Sequence, residues 1–312
     1  MHNIKRENSS SLEKTALRQE SIYTTVGEQK LHLRRFYHHT NGPAVWMVHG
    51  SVEDGHIFYS SSGKGLAPFL AKQGYNVFVV DLRGRGKSTP KVDATSKWGL
   101  SEILEKDFAA YLSKIIEIKG PQPQHWIAHS WGGVLMLAWL ARHTPAARVT
   151  SMVFFGSKRH ISIFNFKKLL QIDFGWNFLS RLLVKHYGYL PGKRFRIGSE
   201  SESARSYRET FRWVADKEWL DWHDGFNYKK ALKKKGLPPA LYLTGANDKV
   251  LGHYKDVARL IAETGSDRAK LQIIGKKEGF LHDYDHINLL THPDATRDHF
   301  QLILRWMQKH KL

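Results

Sequence analysis

The chain predicts an α/β fold: a mostly parallel sheet flanked by helices, with a mainly helical insertion. Short, nearly all-apolar runs alternate with amphipathic segments through its first half. That is the pattern of strands buried on both faces with helices between them. The alternation stops near Ser157 and resumes near Leu237, so one core continues on both sides of an inserted block.

Two early strands are expected near residues 21–26 and 30–38. The run Ala44–Val48 is the first clear buried strand and ends at His49-Gly50. A helix over 65–73 follows, then a buried strand over 76–80 ending at Asp81. Over 101–118, Leu104, Phe108, Leu112 and Ile115 recur at helical spacing and form one apolar stripe. A strand over 125–128 runs into a sharp turn at Ser130. The helix beyond it is apolar nearly all round, so it should be buried. Val149–Phe155 reads as a further strand. After the insertion come a strand over 241–244, a helix over Tyr254–Thr264, a strand over 270–274 and a last helix over 295–309.

These elements divide the chain into a loosely ordered leader (1–20), an α/β core (21–156 and 237–312) and an inserted lid (157–236). The lid is dense in aromatic residues: Phe164, Phe166, Phe174, Trp176, Phe178, Tyr187, Tyr189, Phe211, Trp213, Trp219 and Trp222. As a lid they would wall an apolar pocket over Ser130. The serine- and glutamate-rich stretch Ser199-Glu200-Ser201-Glu202-Ser203 reads as a solvated loop.

Composition limits the chemistry. There is no cysteine among 312 residues, which excludes disulfides, thiolate nucleophiles and cysteine-bound metal. It fits a cytoplasmic location. The N-terminus has no apolar run of the signal-peptide kind, and no stretch approaches the roughly 18 apolar residues of a membrane span. The 48 basic against 29 acidic residues give a net charge of +19. No nucleic-acid recognition module is present, so no specific nucleic-acid binding is expected. The basic lid clusters, Lys193, Arg194 and Arg196 and then Lys229, Lys230, Lys233, Lys234 and Lys235, could rest on an anionic membrane surface. Solvated charge explains them as well.

The chemistry centres on Ala128-His129-Ser130-Trp131-Gly132-Gly133. Small residues around a serine at a strand-to-helix turn let the two elements approach and leave the hydroxyl projecting. The helix N-terminus then aims N–H groups at a developing oxyanion. Ala128 stands where glycine is usual. A serine hydroxyl needs a base, most often a histidine oriented by a carboxylate. Asp248 lies in the turn after the strand over 241–244. His286 lies beyond the strand over 270–274. Both follow carboxyl ends of strands, where ligands of such sheets bind.

On these residues the chain resembles the α/β-hydrolase superfamily, in particular its lidded lipases and esterases. His49-Gly50 is similar to that family's oxyanion loop, and Asp81-Leu82-Arg83-Gly84-Arg85-Gly86-Lys87-Ser88 to its turn after the next strand. The resemblance implies a triad of Ser130, Asp248 and His286. It also implies an oxyanion hole from the backbone N–H groups of Ser51 and Trp131, with no cofactor and no metal. The substrate expected is a small molecule with an apolar acyl group. Haloalkane dehalogenases and typical epoxide hydrolases of this fold use a carboxylate nucleophile, so Ser130 argues against both.

Plainer assignments compete. Ser130 could be a helix N-cap, Asp248 could cap the next helix, and His282 or His292 could replace His286. His282 and His286 with Asp283 and Asp285 could bind a metal, but the local sequence is not helical. Gly84–Ser88 lacks the first glycine of a phosphate-binding loop. His129 is expected to pack and hydrogen-bond. The same triad would serve a peptidase, thioesterase, carbon–carbon hydrolase or acyltransferase. A non-catalytic, basic membrane- or polyanion-binding protein is the remaining alternative. Oligomeric state is not legible.

Overall fold

The computed structural model describes residues 16–311. Its strands are β1 (Arg18–Val26), β2 (Gln29–Tyr37), β3 (Ala44–Val48), β4 (Asn76–Asp81), β5 (Gln124–His129), β6 (Val149–Phe155), β7 (Tyr189–Leu190), β8 (Glu202–Ser203), β9 (Ala240–Gly245) and β10 (Ala269–Ile274). Eight of them form one sheet in the order β1-β2-β4-β3-β5-β6-β9-β10. The β1–β2 hairpin is antiparallel, β2 joins β4 antiparallel, and the six strands from β4 to β10 are parallel. This is the mostly parallel sheet that the sequence predicts.

Strand β1 begins at Arg18, and Arg18, Gln19 and Glu20 pair with Tyr37, Phe36 and Arg35. Those three residues therefore leave the expected leader and join the sheet. At an edge, main-chain pairing suffices and no apolar run announces it. Leader residues 1–15 lie outside the described residues.

Every residue of β3, β4, β5 and β9 is buried. The core lies on both faces of the sheet. One layer includes Trp46, Phe108 and Trp126 with helix Trp131–Arg142; the other includes Met47, Ile127, Leu243 and helix Phe300–Lys309. The stripe Leu104, Phe108, Leu112 and Ile115 is buried. Its helix carries a π-helical stretch at Ile103–Asp107, where buried Asp107 meets Arg83.

The chain passes from β3 to β4 on one side and then to β5 on the other, so the strand order reverses between β3 and β5. Ligands of open α/β sheets bind at the carboxyl ends beside such a reversal. Here β3 runs into His49-Gly50-Ser51 and β5 into Ser130. Residues 157–236 lie between β6 and β9 and contain the β7–β8 pair and several helices. Among the described residues, no helix is long and apolar enough to cross a membrane.

Candidate active site

Ser130 follows β5 and occupies the N-cap position of helix Trp131–Arg142 with φ of 49° and ψ of −118°. A left-handed backbone at a non-glycine residue costs about 1–3 kcal/mol, so its surroundings must impose it. They do: the Ser130 N–H donates to the Phe155 carbonyl at 2.7 Å. A β-carbon on Gly132 would fall 2.5 Å from the carbonyl oxygens of Val48 and His49. Glycine there lets helix and strand meet closely enough to force the turn. Ala128 is fully buried without disturbing it.

The Ser130 side chain makes no capping hydrogen bond. Its Oγ lies 3.0 Å from His286 Nε2, and His286 Nδ1 lies 2.6 Å from Asp248 Oδ2. The carboxylate can only accept, so Nδ1 carries the proton and Nε2 is left to accept the serine O–H. Burial lowers the His286 pKa, aided by His129 and Lys158, against the pull of Asp248. Burial pushes the Asp248 carboxyl up, but the charge and hydrogen bond of His286 outweigh it and leave it at about 2. Both directions favour a neutral imidazole beside an ionised carboxylate near neutral pH.

The other two expected groups flank this relay. Trp131 opens the helix after Ser130, and Ser51 follows Gly50 in the loop after β3. A β-carbon on Gly50 would lie 2.9 Å from Ser130 Cβ, so that loop touches the serine. His49 fixes the loop's root. Its Nε2 accepts the Leu82 N–H at 3.0 Å, which leaves Nδ1–H to donate to the Gly50 carbonyl at 2.9 Å.

Sequence reasoning missed Glu53, Lys158 and Glu202. His129 Nδ1 donates to Glu53 Oε1 at 2.6 Å, and its Nε2 donates to the His286 carbonyl at 3.1 Å. Both partners are acceptors, so both ring nitrogens carry protons. Burial lowers the His129 pKa, but the Glu53 charge and hydrogen bond outweigh it and raise it. Glu53 also accepts the Gly50 N–H. His129 is thus the hydrogen-bonding residue the sequence suggested, and it ties the Gly50 loop to the His286 loop. Lys158 follows the end of β6, is buried, and has no ion-pair partner among the described residues. Its place beyond a strand end was the available signal.

Glu202 overturns the expectation of a solvated loop at 199–203. It is buried, pairs with Arg85, and accepts the Ser51 hydroxyl at 2.8 Å. The stretch is polar because it answers a buried arginine. The apolar wall expected of the lid is also corrected. Trp213 and Trp219 are buried, with Trp213 6.1 Å from the Trp131 ring, but Phe164, Phe166, Phe174, Phe178 and Trp222 face solvent.

His282 and His286 form no common site. His282 bonds Asp294 at 2.8 Å and packs on His292, with ring centroids 4.3 Å apart. His282, His292 and Asp294 are close enough to hold a metal. However, Arg297 already takes the other Asp294 oxygen at 2.8 Å, and His292 Nδ1 accepts the Asp294 N–H. This is a satisfied ion-pair cluster. The turn after β4 is structural: Asp81 accepts the N–H groups of Gly55 and Lys87, and His32 bonds it at 2.8 Å.

Residues 43–293 match the family described as alpha/beta hydrolase fold. The chain belongs to that family. As an α/β hydrolase it is 35% identical over 98 residues to bifunctional epoxide hydrolase 2 of Sus scrofa, a match covering 31% of this chain and 15% of that protein. The chain therefore spans less than a fifth of that curated relative. Among solved structures it is similar to a soluble variant of monoglyceride lipase from Saccharomyces cerevisiae, with TM-score 0.67, 18% identity, and 94% and 95% of the two chains covered. A thermophilic esterase from Thermogutta terrifontis gives TM-score 0.57 at 16% identity, covering 94% of this α/β hydrolase and 100% of that chain. At these identities the likeness is one of fold, and it agrees with the fold that the sequence predicts.

Proposed function

We propose that this α/β hydrolase is a serine esterase that cleaves carboxylic esters through an acyl-enzyme on Ser130. The observation that carries the reading is the hydrogen-bonded line Ser130–His286–Asp248, with its strained serine and neutral imidazole. His286 Nε2 takes the hydroxyl proton as Ser130 Oγ attacks the acyl carbon. The carbonyl becomes an oxyanion, held by the N–H groups of Ser51 and Trp131; such donors are worth about 10²–10³-fold each. As the tetrahedral intermediate collapses, His286 returns its proton to the departing alcohol. Water then attacks the acyl-enzyme with His286 again as base, releasing the acid and restoring Ser130. Asp248 keeps Nδ1 protonated and stabilises the imidazolium.

A serine at the turn argues against an epoxide-opening role, which this fold runs with a carboxylate nucleophile. Residues 157–236 serve as the lid. Trp213 packs on Trp131, the residue after Ser130, and the substrate class this reading takes is an ester with an apolar acyl group.

The test is a fluorophosphonate probe together with p-nitrophenyl esters of graded chain length. Wild type should be labelled and turn over; Ser130→Ala should lose both. Ester turnover retained in Ser130→Ala would overturn the proposal.

A further inference from the structure

Surface helices normally turn their apolar side inward and their polar side to water. The segment from Phe164 to Lys185 does both things at once. Ile172, Leu183 and Val184 are buried against the protein. Yet Phe164, Phe166, Leu170, Phe174, Phe178 and Leu182 are each half or more exposed. From Phe166 onward they recur every four residues, which lines them along one stripe, and the Phe174 and Phe178 rings stack at 5.8 Å. A contiguous exposed apolar surface of this kind marks an interaction site.

What covers the stripe is indicated by the charges beside it. Arg181 and Lys185 lie on the same segment, four residues apart. Across a groove of about 390 Å³, Arg208 and Arg212 repeat that spacing on helix Ala204–Ala215. None of the four has a salt-bridge partner among the described residues. Arg181 rests on the Phe211 ring and Arg212 on the Trp222 ring, but neither contact supplies a counter-charge. Like charges four apart on a helix repel, so four cations without a carboxylate around one groove favour an external anion. The groove's other walls are Phe211, Val184 and Tyr207, which offer no carboxylate. The only acid between Phe164 and Lys185 is Asp173, and Lys168 holds it at 2.8 Å.

We propose that this face is an interfacial anchor that seats the protein on an anionic phospholipid bilayer. The phenylalanine and leucine stripe enters the acyl boundary, and the four cations take up lipid phosphates. A second copy of this chain fits poorly, because a two-fold contact would set each cation cluster against its like. The sequence pointed to a membrane through the basic clusters at 193–196 and 229–235. The proposal places the contact on the segment where apolar and cationic surfaces adjoin.

The experiment is flotation of the full chain with vesicles of phosphatidylcholine alone or mixed with phosphatidylglycerol. Wild type should float with the mixed vesicles at least tenfold more than with the neutral ones. Arg208→Glu/Arg212→Glu should cut this further than neutralisation alone, which costs roughly fivefold per cation. Phe174→Ser/Phe178→Ser should lower it at least tenfold. Circular dichroism and thermal melting like wild type establish that the variants fold. Wild type that stays unbound, or variants that float as wild type does, would overturn the proposal. So would a wild-type dimer that Phe174→Ser/Phe178→Ser dissociates, without vesicle binding. The readout does not depend on the ester reading: loss of ester turnover with flotation intact would count against Ser130 alone.

Discussion

Gly132→Ala tests whether the contact between β3 and the Ser130 helix sets the site. The added β-carbon would meet the Val48 and His49 carbonyl oxygens at 2.5 Å, where ordinary contact begins near 3.4 Å. Something must therefore move by roughly 0.9 Å. Neither neighbour is a side chain that can swing aside. Val48 is main chain in β3, paired on both sides by β4 and β5. The strain should cost about 1–3 kcal/mol of stability. Its larger effect is geometric. The shift separates the loop carrying the Ser51 N–H from the helix carrying the Trp131 N–H, and a displacement near 1 Å in a reacting constellation can cost about 10²-fold. The expected result is a roughly hundredfold fall in kcat/KM on a short p-nitrophenyl ester, carried mainly by kcat. A lowered melting temperature should accompany it. Gly236→Ala is the control, since nothing lies within 4 Å of a β-carbon there. Wild-type kcat/KM in a folded Gly132→Ala would refute the argument that this contact positions the site.

Two further outcomes follow from the charges around His286. Asp248→Asn keeps the shape of the carboxylate but removes the acceptor that fixes the tautomer, so kcat should fall about 10⁴-fold; a loss below tenfold in steady-state kinetics would place the acid elsewhere. Lys158→Met removes a cation that lowers the His286 pKa. His286 acts as base only when neutral, so activity fails as pH drops through its pKa. Raising that pKa should move the acid limb of the kcat/KM profile to higher pH, and a limb that stays or moves lower would refute the assignment.

The core was legible because its signals are local. Ala44–Val48 is apolar throughout and Val149–Phe155 is so apart from Thr150 and Ser151, since strands buried on both faces have little polar side to show. The relay was legible for a related reason: Ser130, Asp248 and His286 each follow a strand end, and chain order alone limits the choices. What escaped was anything decided by a partner far away in sequence. Glu53 lies three residues after Gly50 with no periodicity to mark it, and its meaning comes from His129, 76 positions on. The aromatic insertion was read as a pocket wall because composition cannot say which side of a helix faces inward when both sides are apolar. Phe174 and Leu183 look alike in a list, yet one is exposed and the other buried.

The stretch at 199–203 packs against the Ser51 loop. Three successive residues of that loop are held from outside it. Arg85 Nη1 donates to the Gly50 carbonyl at 3.2 Å, Glu202 accepts the Ser51 hydroxyl at 2.8 Å, and the Glu200 N–H donates to the Val52 carbonyl at 3.0 Å. Val52 sits at φ of 49°, an uncommon conformation for a β-branched residue and one that costs about 1–3 kcal/mol. Left alone, the loop would relax away from it. The contacts that prevent this come from the turn after β4 and from the insertion, not from β3 itself. If Ser51 donates to an oxyanion as proposed, its N–H is held in place before any substrate arrives, and oxyanion donors are most effective when fixed in advance. Through Glu200 and Glu202 the insertion braces the loop, which is why Glu202 and Ser203 of a polar, serine-rich stretch are buried where composition alone suggests solvent.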